Sequence, residues 1–153
     1  MADVDELAFV VEGDPVGKGR PRFTRSGQVF TPEKTAAYER KVAVACRLAM
    51  RVKSLAPFEG AVTMRIDAFF PIPKSATKAQ RYAAIQGACR PSKPDIDNIE
   101  KSILDGCNGI AYLDDAQVSD LRCRKLYAVT PRVEVYITPI EGVEVGLRRR
   151  KKE

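Results

Sequence analysis

The 153-residue chain contains no histidine. That absence removes Ser-His-Asp and Cys-His nucleophiles, HNH-type nuclease centres and any zinc site that needs imidazole. Acid–base or metal chemistry must therefore run on carboxylates, lysine, tyrosine or cysteine. The four cysteines, at 46, 89, 107 and 123, include no C-x-x-C pair. Neither a zinc ribbon nor a redox dithiol is expected, and four reduced thiols are. No apolar run nears the roughly 18 residues of a membrane span, and the acidic start MADVDELAF lacks the regions of a signal peptide. A cytoplasmic protein without membrane contact is expected. Glycine and proline stand at only ten each, which excludes collagen-like and low-complexity chains, and neither an internal repeat nor an interdomain linker is visible.

With 44% hydrophobic and 30% charged residues, the chain has the composition of one ordinary domain around a single core. Its net charge of +6 is concentrated rather than spread. Arg148, Arg149, Arg150, Lys151 and Lys152 end the chain with only Glu153 against them. Lys18, Arg20, Arg22 and Arg25 form a second basic segment with no acid between them. A nearly neutral body with two basic segments suits an anionic partner, and nucleic acid is the common one.

Patterning predicts the elements. Leu7 to Glu12 reads as a strand stopped by Gly13-Asp14-Pro15, and residues 16–27 as an extended, mobile loop too rich in glycine and proline for a regular element. Thr31-Pro32-Glu33 reads as a capped helix start, with Tyr38, Val42, Ala45, Cys46 and Ala49 as the apolar face of a helix running to about Val52. Ala61 to Phe70 alternates like a half-buried strand, and Ser75 to Gly87 reads as a peripheral helix. A third helix is expected from Ile96 to about Asn108, its buried stripe made by Ile96, Ile99, Ile103 and Cys107, with Gly109 as its stop. Ile110 to Tyr112, Val118 to Tyr127 and Val133 to Thr138 follow as strands. The order βαβααβββ predicts an α+β fold, a single compact domain over residues 1–140 with helices packed on a largely antiparallel or mixed sheet. Residues 141–153 read as a mobile basic tail.

The candidate chemistry lies between Lys93 and Asp115. Asp95 and Asp97 enter the third helix, and Asp114 and Asp115 form a turn beyond its end. A magnesium ion takes hard oxygen ligands, a few carboxylates with the remaining positions left to water and phosphate. Each aspartate is also explicable singly as a helix cap or turn residue. Lys101 follows Asp97 by one helical turn, where it can steady a scissile phosphate or form a surface ion pair worth under about 1 kcal/mol. Glu100 is a possible extra ligand, expected to point away from Asp97. Phe23 and Phe30 are available to stack on bases, although packing is the commoner use of aromatics.

Lys93-Pro94-Asp95-Ile96-Asp97-Asn98, Lys101, Leu104 to Gly109 and Asp114-Asp115-Ala116-Gln117-Val118 together resemble the signature of the RusA family of Holliday-junction resolvases. Gly17-Lys18-Gly19-Arg20-Pro21-Arg22-Phe23 and Tyr38-Glu39 resemble the family's basic loop and following helix, so the likeness spans roughly residues 7–138. It implies an endodeoxyribonuclease that uses Mg²⁺, with Mn²⁺ able to substitute, acts as a homodimer and cuts four-way DNA junctions by paired nicks without a nucleotide cofactor. It assigns catalysis and metal binding to Asp95, Asp97 and Asp115, with Asp114 as the alternative third ligand, and gives Lys101 the family's lysine role. DNA contacts would fall to Lys18, Arg20, Arg22 and Arg25, with Arg148, Arg149 and Arg150 as a departure from the family pattern. A bacterial or phage source would be usual. Two other readings compete: a basic nucleic-acid-binding protein without chemistry, and a PD-(D/E)xK nuclease, for which Asp120-Leu121-Arg122 ends in the wrong cation.

Overall fold

A computed structural model describes residues 5–30 and 32–147. Its strands are β1 (Leu7–Glu12), β2 (Arg22–Phe23), β3 (Val29–Phe30), β4 (Val62–Pro71), β5 (Val118–Ala128) and β6 (Arg132–Pro139). Its helices are α1 (Glu33–Val52), α2 (Lys78–Ile85) and α3 (Ile96–Cys107). Four strands form a mixed sheet in the order β1-β6-β4-β5. β6 pairs antiparallel with both β1 and β4, while β5 runs parallel to β4. The parallel pair requires a long crossover, and α2 and α3 provide it.

Alternation decides which side of each strand faces the core. Leu7, Phe9 and Val11 of β1, Met64, Ile66 and Ala68 of β4, and Val133, Val135 and Ile137 of β6 are buried together with Tyr38, Val42 and Cys46 of α1 and Ile99, Ile103 and Cys107 of α3. The other sheet face is polar and partly exposed. There Arg124 Nε meets the buried Asp67 carboxylate at 2.8 Å, and the Arg65 guanidinium lies 4.2 Å from the Tyr136 ring centre. Each pairing fixes a long cation over an otherwise open surface.

Several local expectations are corrected. α1 begins at Glu33 with Pro32 as its cap position and no side-chain cap; Thr31 lies outside the described residues. The buried face of α1 includes Thr35 and Met50, while Ala45 and Ala49 are only partly buried. α2 is shorter than expected because Thr77 and Gln80 form a capping box that sets its start. Residues 110–112 form no strand; only Tyr112 among them makes isolated bridges, to Phe58 and Asn108. The basic loop is not featureless: β2 and β3 pair as a small hairpin, turned at Gly27, whose φ of +84° suits glycine. Beyond β6 the chain stays tied to the body, since Ala61 N donates to Val143 O at 3.0 Å. All four cysteines are unbridged. No helix among the described residues is long and apolar enough to cross a membrane.

Candidate active site

α3 presents the first cluster at its head. Asp95 is its N-cap residue, yet its carboxylate makes no capping hydrogen bond. Asp97, in the first turn, accepts the Asn98 amide at 3.0 Å and no other hydrogen bond among the described residues. Asp95, Asp97 and Lys101 are all exposed, and none forms an ion pair among the described residues. The surface pair Asp97–Lys101 is therefore not made, and both charges remain available. Ile96, expected in the buried stripe, is 40% exposed, because α1 packs against the later turns of α3 and leaves the head clear. Glu100 corrects a second expectation. One helical turn places it beside Asp97, and burial together with the Asp97 charge raises its carboxyl pKa above the usual range.

Lys125 anchors this head to the sheet: its ammonium donates to the carbonyls of Ser92 and Pro94, each at 3.1 Å. Neither contact was legible in the sequence, because β5 and the segment before α3 are joined only by the fold.

The second cluster is the turn before β5. Asp114 caps a 3-10 turn at Asp115–Gln117. A hydrogen bond to Asp114, slight desolvation and the Asp114 and Asp105 charges raise the pKa of the exposed Asp115. Gln117 holds the turn in place with its whole amide. Its Oε1 accepts from the Leu113 and Asp114 amides at 2.9 and 3.1 Å, and its Nε2 donates to Phe58 O and Gly60 O at 2.6 and 2.9 Å.

The two clusters are not neighbours within one chain. Asp115 lies next to the start of β5, whereas Pro94, just before Asp95, is held by Lys125, seven residues into that strand. Accordingly, no three acidic or cysteine side chains among the described residues surround a common point.

The basic loop divides into tied and free cations. Lys18 is partly buried, 2.5 Å from Glu39 and 2.9 Å from Asp105. It is committed to joining the loop to α1 and α3 rather than standing free for DNA. Arg20, Arg22 and Arg25 are exposed, and Phe23 is 72% exposed. The Phe30 side chain and Arg148, Arg149 and Arg150 lie outside the described residues.

Residues 12–138 match the family model described as Endodeoxyribonuclease RusA. The chain is also 37% identical over 145 residues to "Uncharacterized protein YqaN" of Bacillus subtilis (strain 168), a match covering 91% of this chain and all of that relative.

Proposed function

The chain belongs to the RusA family, endodeoxyribonucleases of Holliday junctions, and from that premise we propose that it resolves four-way junctions as a homodimer by paired, magnesium-dependent hydrolysis. The observation that carries this reading is the head of α3, where two exposed carboxylates and one lysine stand close together without neutralising one another. Asp95 and Asp97 offer unshared hard oxygens, the donor type Mg²⁺ prefers, and they would hold the ion. When bound, the ion supplies Lewis acidity toward the phosphate. Lys101 is placed to stabilise charge developing on the phosphate oxygens, and Arg20, Arg22 and Arg25 hold the DNA backbone without reading sequence. Asp95, Asp97 and Asp115 do not form one cluster within the described residues of a single chain, and on this reading Asp115 joins the other two across two copies. A two-fold dimer would thereby carry two complete sites for a two-fold substrate.

The direct test is strand nicking of a synthetic four-way junction beside a linear duplex of the same sequence, with Mg²⁺ and with EDTA. Junction-selective, metal-dependent cuts in opposed strands are expected. Binding without cutting in Mg²⁺ would leave a nucleic-acid-binding protein without chemistry.

A further inference from the structure

A cavity of about 540 Å³ opens beside the α3 head, between the basic loop, the start of α1 and Pro94. Its size falls in the range of small-ligand sites. Its walls include the rings of Pro15, Pro21, Pro32 and Pro94, and its charged groups are Arg20, Arg22 and Lys34. These three cations have no carboxylate partner among the described residues, unlike Lys18 on the same loop.

The walls are held in place. Gly19 N donates to Thr35 Oγ1 at 2.9 Å, Lys18 N to Asn98 O at 2.8 Å, and Ser102 Oγ to Val16 O at 2.8 Å. Gly17 lies so close to Pro94 that an added Cβ would meet the ring at 2.8 Å.

We propose that this cavity binds one unstacked deoxynucleotide of the strand being cut, its phosphate held by Arg20, Arg22 and Lys34 and its base against the proline rings. The proposal rests on the junction-nuclease reading and gives that activity a source of base preference. A concave site with apolar walls and a cationic rim matches a nucleotide, which is flat and apolar on its faces and anionic at one end. A base still stacked in a duplex cannot enter such a site, so the nucleotide must leave the stack. Pro94 immediately precedes Asp95, which puts the bound nucleotide next to the phosphate under attack.

The test uses Lys34→Glu in the full chain. Lys34 is exposed in the first turn of α1, where an acid is favoured by the helix dipole, so the variant should fold. Lys78→Glu, in the first turn of α2, makes the same charge change far from the cavity. Titration with deoxynucleoside monophosphates should move the Gly17 and Gly19 amide resonances, with binding about tenfold weaker in Lys34→Glu and unchanged in Lys78→Glu. In metal-free junction complexes, 2-aminopurine beside the cut site should brighten with the wild type and much less with Lys34→Glu.

No amide shift and no brightening, in a protein that still cuts junctions, overturns the cavity proposal and leaves the nuclease reading standing. Equal weakening by the two variants also overturns it, because the effect would then be general charge. Amide shifts lost only in Lys34→Glu, in a protein that does not cut, leave a nucleotide-binding cavity but sink the nuclease reading and with it the link to a cut strand.

Discussion

Lys18 and Arg22 carry the same charge four residues apart, but their neighbours separate their roles. Lys18 bridges Glu39 and Asp105. Partial burial pulls its pKa down, but hydrogen bonds and charge from the two carboxylates outweigh this, and the value stands above the ordinary 10.5. A raised lysine pKa means the stabilisation is complete below 10.5 and is lost as pH rises through the higher folded value. Lys18→Met leaves two carboxylates facing each other and should cost about 1–3 kcal/mol. Its melting-temperature deficit should hold steady around neutral pH and shrink in strongly alkaline solution. A deficit that does not change with pH would mean the contact is packing alone. Arg22 is exposed, so Arg22→Ala should leave melting unchanged and lower the salt dependence of DNA binding by about 0.9 in slope per lost phosphate contact.

Lys101 is the third informative residue. Since no ion pair occupies it among the described residues, Lys101→Ala should spare folding and junction affinity while slowing single-turnover cleavage by about 10²–10³. A wild-type rate in saturating Mg²⁺ would remove it from the site.

Among the elements, α1 and α3 meet where Gly106 faces Val42. A Cβ on Gly106 would lie 2.6 Å from the Val42 side chain and 3.2 Å from Glu39 O. Alanine would gain about 1 kcal/mol of helix propensity, but overpacking costs about 1–3 kcal/mol. Gly106→Ala should therefore lower the melting temperature, and adding Val42→Ala should recover part of the loss. A Gly106→Ala protein that melts higher would show that the helices can separate freely.

The strands β1, β4 and β6 and the helix behind the Asp95–Asp97 motif were legible because each buries residues at its own period, whereas β5, read as a strand too, is only partly buried along its length. The β2–β3 hairpin was not, since two-residue strands have no period to read. Ile96 followed the helical pattern correctly but sits where no element covers it. The role of Gln117 was also hidden, because its partners Phe58 and Gly60 lie almost 60 residues away. Likewise, local patterning names Asp95 and Asp115 but cannot reveal that Lys125 of β5 holds the segment before Asp95 while Asp115 precedes that strand.

At the scale of the whole molecule, that separation is the main consequence of the fold. One chain holds two acidic pairs, Asp95 with Asp97 beyond the Lys125–Pro94 contact and Asp114 with Asp115 just before β5. In the dimer proposed above, pairing two copies would make each half useful and match the symmetry of a four-way junction. The most direct measurement is cleavage of a four-way junction by Asp97→Asn, by Asp115→Asn, and by the two variants co-expressed as a mixed dimer. Asparagine keeps the shape of each side chain but removes the charge a hard cation needs. Each variant alone should bind the junction and fail to cut it, while the mixed dimer, which retains one site with both carboxylates intact, should recover single-strand nicking. A mixed dimer as inert as its parents would place each site within one chain, and a single variant cutting at the wild-type rate would contradict the carboxylate site itself.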